Sequence, residues 1–305
     1  MILTAYLLMC AIFGTTFLAI KIGVESGMPP FFSAGLRFFI AGLILFLWLL
    51  AKRKATPRML LDRKLWLIGL GSTFFTFATL YWAEQHIDSG IAAMLSATGP
   101  MMILVLQSAV ARQSPPGGAF LGCAVGFAGV FVLLLPKLGI GTDALWLLSC
   151  LLVLLGELGY AAGSLFTRKV MMEAKKTPPI TVNAIQMMFG GLTLLLLSAF
   201  TEEIHPAAFG SWAAAGSLIY LIVVGSMLGH SLYAWLLKAT NAFFPSTWLY
   251  VSPIIALGLG AALYDERLSG YSVAGSALVL AGIVLTNWQE WRLRLRRTTV
   301  SRQST

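Results

Sequence analysis

Charge is what this sequence has least of. Lys, Arg, Asp and Glu make up 11% of its 305 residues, against 58% hydrophobic, whereas a soluble domain carries roughly 25% charged residues. A compact globule in water cannot hide that much apolar side chain, because a large share of its surface must face solvent. Lipid removes the constraint. Cysteine is scarce too. Cys10, Cys123 and Cys150 lie far apart inside apolar runs, which excludes a disulfide framework or a metal-ligand spacing and leaves them as small packing residues. There is no Walker A loop, no HExxH, no Gly-x-Ser-x-Gly and no paired Gly-Asp. ATP-driven transport by this chain alone and the common hydrolase chemistries therefore lack their motifs, and no enzyme activity, cofactor or metal is expected.

What is present is a series of long apolar stretches. A bilayer-crossing helix needs about 20 mostly apolar residues. Ten stretches meet this: Ile2–Val24, Phe31–Ala51, Leu65–Ala83, Ser89–Ala111, Gly118–Leu135, Ala144–Phe166, Ile180–Phe200, Trp212–Leu237, Phe243–Tyr264 and Tyr271–Trp291. Short connections with turn residues separate them, such as Met28-Pro29-Pro30 and Thr177-Pro178-Pro179. No basic residue precedes Lys21, and the first apolar run is longer than the core of a secretion signal, so it reads as the first span.

The basic residues sort by side. The N-terminus, the even-numbered connections and the tail hold 17 of the 21 Lys and Arg; the opposite connections hold Lys21, Lys137 and Arg267, and Arg37 lies within a span. This asymmetry predicts that both termini are cytoplasmic. It also reassigns the net charge of +9 from nucleic acid to an anionic leaflet of the plasma or inner membrane.

The chain repeats itself. At an offset of 153, nine of the thirty residues from Pro100 to Gly129 recur, including Pro100, Gly117, Gly122 and Gly129 as Pro253, Gly270, Gly275 and Gly282. At an offset of 149, Pro29, Pro30 and Gly42 recur as Pro178, Pro179 and Gly191. Each repeat holds five spans, and an odd number turns the second copy upside down. The fold expected is all-α and membrane-integral, with ten helices in two inverted repeats over 2–136 and 144–291 and a basic cytoplasmic tail at 292–305. In such an arrangement the substrate site lies near the midplane between the copies.

Several segments carry a family resemblance. They are Phe13-Gly14-Thr15-Thr16-Phe17; Pro30 followed by Gly35-Leu36-Arg37-Phe38; Ala83-Glu84-Gln85-His86 with Ser89-Gly90-Ile91-Ala92-Ala93 and Pro100; and Asp265-Glu266-Arg267-Leu268 with Gly275 and Gly282. With these the chain resembles the EamA-type ten-helix members of the drug/metabolite transporter superfamily over residues 5–290. In the first copy Arg112-Gln113-Ser114 stands where the second has Asp265-Glu266-Arg267. The resemblance implies export or exchange of small metabolites, such as amino acids, or of drugs.

The ionisable residues within spans are the candidates for chemistry. Glu157 lies near the middle of the sixth span, where a charge costs about 3 kcal/mol. It is either a proton-coupling or substrate-cation site or a structural carboxyl bonded to a neighbouring helix. Arg37 is either a partner for substrate carboxylate or a packed structural cation. Glu84 and His86, at the outer end of the third span, are gate residues or ordinary solvated end residues. His230 is a proton relay or a satisfied core histidine. Tyr81, Tyr160, Tyr233 and Trp248 can offer aromatic faces to a pocket or simply pack. Pro100 and Pro253 break corresponding helices and free backbone carbonyls, which is tolerated where the backbone lines a cavity. Together these predict a secondary transporter of small molecules working by alternating access, with a proton or counter-substrate as its drive. A membrane-embedded enzyme acting on lipid-linked substrates is the alternative.

Overall fold

The computed structural model describes residues 1–87, 89–112, 117–135, 144–174, 177–203, 211–252, 254–255, 270–271, 273–282 and 284–285. Among them there is helix and no strand. Six helices are long and apolar enough to cross a membrane: α1 (Ile2–Glu25), α2 (Pro30–Ala51), α3 (Arg63–Ala83), α7 (Ala144–Glu173), α8 (Pro179–Thr201) and α9 (Trp212–Ala239). They coincide with the first three predicted spans and with the sixth, seventh and eighth. Shorter helices fill the intervals: α4 (Ser89–Ser96), α5 (Gly99–Ala111), α6 (Gly117–Leu134), α10 (Phe243–Ser246) and α11 (Val273–Gly282).

Local chemistry explains the ends. Pro30 and Pro179 open α2 and α8, where a missing N–H costs nothing. Asp62 caps α3 by accepting from Lys64 N at 2.9 Å, and Ser211 caps α9 from Ala213 N and Ala214 N. The predicted fourth span is split in two. Its break falls at Ala97 and Thr98, ahead of Pro100, which sits in the first turn of α5 where proline is tolerated. The ninth predicted span starts as α10, turns at Thr247 and is helical again over 248–252. Pro253, the Asp265-Glu266-Arg267 segment and the predicted tail lie outside the described residues.

The side chains are distributed inside out. Leu3, Leu7, Leu67, Val110, Leu151, Leu196 and Phe200 point outward, while Thr16, Arg37, Glu84, Glu157, Gln186 and Ser226 are buried. Lipid as a solvent favours this pattern, because it accepts leucine and penalises an exposed charge. Between the helices close approach replaces hydrophobic drive. Where α2 crosses α8, a Cβ added to Gly42 would sit 2.6 Å from Ala184 O, and one added to Gly191 would sit 2.8 Å from Gly35 O. The offset of 149 carries Gly35 onto Ala184 and Gly42 onto Gly191, so the two contacts are reciprocal. Helices α6 and α11 meet the same way, with Gly129 against Gly275 O and Gly282 against Gly122 O, both at 2.7 Å.

The α2–α8 pair is also tied at its ends. Glu202, just past α8, accepts from Phe31 N and Phe32 N at 2.7 and 2.8 Å, which satisfies the open N–H groups of α2. At the other end Thr181 of α8 donates to Lys54 O at 3.2 Å. Around this pair α3 packs on α7 and α8, and α9 packs on α1 and α2.

Candidate functional site

The packing leaves a cavity between α1, α2, α3, α4, α7, α8, α9 and the ninth predicted span. Of the predicted site residues, Arg37, Glu157, Tyr160, His230, Tyr233 and Trp248 line it. Tyr81, Glu84, His86 and Pro100 do not.

Glu157 reaches the cavity from the middle of α7. Gly156 beside it lets α3 close in, so that Thr76 Oγ1 donates to Gly156 O at 3.3 Å. Gly99, at the start of α5, lies directly against the carboxylate. The side chain is 5% exposed, and its Oε2 completes no hydrogen bond among the described residues. Ser72, Ser96, Tyr160, Gln186 and Trp248 also line the cavity, and each has a buried polar atom in the same condition. Buried polar atoms in proteins are normally paired. Ser96 lies beside Glu157, and Trp248 and Tyr233 lie beside Tyr160, so these groups gather on a polar wall that a polar solute or water would satisfy.

Arg37 lies on another wall and is 1% exposed. Its Nε donates to Ser226 Oγ at 2.8 Å and its Nη1 to Tyr81 OH at 3.1 Å. The guanidinium also stands over the rings of Phe38 and Phe77, 4.6 and 5.4 Å from their centroids. No carboxylate lies within ion-pair distance of it among the described residues. The cavity therefore presents one carboxyl and one guanidinium that do not neutralise each other.

Aromatic faces complete the lining. Tyr160 and Tyr233 are 6.0 Å apart, and Tyr233 OH shares a hydrogen bond of 2.9 Å with Ser164. Trp248 packs on Phe13 at 4.5 Å. His230 is set among Phe13, Phe38 and Phe77 at 5.0, 5.4 and 5.8 Å. Tyr81 is fully buried behind Arg37. Glu84 is equally buried at the end of α3, whereas His86 is exposed and stands edge-on to Trp82 at 4.7 Å. No group of three or more His, Cys, Asp or Glu is placed to hold a metal among the described residues.

Sequence reasoning missed Gln186, Ser164 and Ser226. Gln186 had a signal, as an amide inside an apolar helix that bonds Asn183 one turn earlier at 3.1 Å. The serines had none, since a serine bonds its own helix as readily as a neighbour.

The EamA-like transporter family model matches residues 1–135 and again 147–288. The uncharacterized inner membrane transporter YedA of Escherichia coli K12 is 29% identical over 279 residues, covering 90% of this chain and 86% of that protein. A protein of the same strain, named as a probable amino-acid metabolite efflux pump, is 25% identical over 284 residues, 92% of each chain. The uncharacterized transporter YoaV of Bacillus subtilis 168 is 27% identical over 283 residues, 91% of this chain and 93% of its own. A solved crystal structure of a protein superposes with a TM-score of 0.74 over 95% of this chain and 98% of that one, at 18% identity, which is a likeness of fold.

Proposed function

This chain belongs to the EamA-like transporter family, and we propose that it carries a small zwitterionic metabolite, such as an amino acid, through its central cavity and out of the cell. The observation behind this is that one cavity holds a carboxyl and a guanidinium that do not pair with each other. The solute's ammonium would meet Glu157 and its carboxylate would meet Arg37. Tyr160, Tyr233, Trp248 and Phe13 supply apolar and aromatic faces for its side chain. Desolvating an unpaired carboxyl at mid-membrane costs about 3 kcal/mol on insertion scales, and a bound ammonium offsets that cost only while the solute is present. The name of the Escherichia coli efflux pump supports the amino-acid class and the outward direction.

The movement is alternating access between two inverted halves, residues 2–136 and 144–291, with both termini in the cytoplasm. Three observations support it: the reciprocal crossings of α2 on α8 and α6 on α11, the twofold match of the family model and the placement of 17 of 21 basic residues on one side.

The test is counterflow in proteoliposomes loaded with a panel of neutral, basic and acidic amino acids. Saturable exchange of at least one zwitterion is expected, with Glu157→Gln weakening apparent affinity about tenfold or more, equivalent to 1.4 kcal/mol. Exchange that Glu157→Gln leaves unchanged would remove the carboxyl from the binding role.

A further inference from the structure

Glu84 follows directly on the last residue of α3 and is completely buried. Neither of its carboxyl oxygens completes a hydrogen bond among the described residues. An ionised carboxylate in that condition is costly, so the neutral acid is the form that fits the pocket. Lys21, on α1, is close by and does not pair with this carboxyl. Its Nζ donates instead to the main-chain oxygens of Glu84 and Ile87 at 2.9 and 3.3 Å, and it stands 3.5 Å from Glu25. One ammonium thus caps the end of α3 and ties α1 to it.

The charged and titratable groups acting on Glu84 come from each neighbour. They are Lys21 and Glu25 on α1, Arg37 on α2 and Tyr81 one turn earlier on α3, while α4 carries no charged residue. Burial pushes the Glu84 carboxyl well above the usual carboxylate range; Lys21 and then Arg37 pull it back, and Glu25 raises it further. Arg37 in turn bonds Tyr81 and lines the central cavity. Glu84 therefore lies within electrostatic reach of both Lys21 on α1 and the guanidinium that lines the cavity.

Building on the transport reading, we propose that Glu84 is a proton-binding site of the transporter, separate from Glu157, with Lys21 as its exchangeable partner. In the protonated state the carboxyl is neutral and Lys21 holds the carbonyls of α3. On deprotonation the carboxyl O–H bond breaks and the proton passes to water at the outer face. The carboxylate then draws the Lys21 ammonium off Glu84 O and Ile87 O. That exchange replaces the tie between α1 and α3 by an ion pair and frees the outer end of α3 to move. Since protonation favours the tied form, the tie is present at low external pH and is lost as pH rises.

Infrared difference spectroscopy on the protein in liposomes tests this without any solute. Between pH 6 and pH 9 the wild type should lose a protonated-carboxyl band of which one component is absent in Glu84→Gln and retained in Glu157→Gln. Lys21→Met should move the loss of that component to higher pH, because the ammonium favours the carboxylate. Should Glu84→Gln fail to accumulate, Glu84→Asp keeps the acid and displaces its band. A Glu84 component already ionised at pH 6, still protonated at pH 9, or indifferent to Lys21→Met would overturn the proposal. The spectra are independent of which solute is carried, so failure of amino-acid counterflow leaves this test standing.

Discussion

Tyr81 and Tyr233 occupy equivalent places in the two proposed halves. An offset of 152 residues carries one onto the other, and each follows a stretch of π-helix, Gly69–Phe75 in α3 and Leu221–His230 in α9, whose first residues differ by the same 152. Their surroundings differ. Tyr81 accepts from Arg37 and is sealed off from the cavity, while Tyr233 bonds Ser164 and faces it. The position matching Arg37 at an offset of 149 is Gln186, a neutral side chain that also lines the cavity. Backbone features such as glycine crossings and π-helical segments recur in both halves. The polar side chains do not, and the cavity has an acid on one wall and a base on another. A zwitterion is an asymmetric ligand, and only an asymmetric site can fix its orientation.

The comparison breaks most completely if the halves are not inverted. Cysteines placed at Lys54 and Glu203, which follow corresponding helices α2 and α8, should react from opposite sides of the membrane. Lys54→Cys is expected to be protected from an impermeant thiol reagent in intact cells and Glu203→Cys to be labelled. Labelling of both from outside would remove the inverted arrangement and with it the alternating-access reading.

A smaller effect tests the shared scaffold. Gly42→Val and Gly191→Val each insert methyl groups where α2 and α8 touch, a change that costs typically 1–3 kcal/mol when neither backbone can retreat. Thermal melts of the detergent-solubilised protein should show both variants destabilised to a similar degree. A large loss at one position and none at the other would show that the crossing is not reciprocal.

The smallest effects separate the two tyrosines. Tyr81→Phe removes an acceptor from a buried guanidinium, worth about 1.5–3 kcal/mol, and should lower the melting temperature while leaving solute affinity nearly unchanged. Tyr233→Phe removes the neutral hydrogen bond to Ser164 in the cavity wall, worth about 1 kcal/mol, and should weaken counterflow affinity about fivefold with a smaller drop in melting temperature than Tyr81→Phe. If Tyr81→Phe weakened affinity more than Tyr233→Phe, the assignment of the two walls would have to be exchanged.

The long spans were legible because a bilayer imposes one dominant rule, some 20 apolar residues in a row, and α1, α2, α3, α7, α8 and α9 obey it. The fourth span was harder. A proline shows that a helix is interrupted nearby but not on which side, and the break fell at Ala97 and Thr98 because Pro100 is accommodated in the first turn of α5. Glu157 and His230 stood out as ionisable residues deep inside apolar helices. Glu84 did not. From the sequence it is a residue at a helix end, as open to water as His86 two positions on, yet one is completely buried and the other exposed. The helix direction at α3 turns Glu84 toward α1 and α2 and His86 away, a rotation that spacing along one helix cannot show.

Composition, apolar run length and the recurrence of proline and glycine determined by themselves that this chain lives in lipid, roughly where it crosses, and that it resembles a family of transporters. Those are properties of single helices and of their solvent, and each helix carries its own record of them. Which polar groups meet was decided by tertiary structure alone. Arg37 finds Ser226 from a helix 189 residues away, and Tyr160, Ser164, Tyr233 and Trp248 converge on one cavity from α7, α9 and the ninth predicted span. A side chain's partner depends on the rotation and crossing of two helices at once, and glycines such as Gly35, Gly42 and Gly191 set that crossing through backbone contacts.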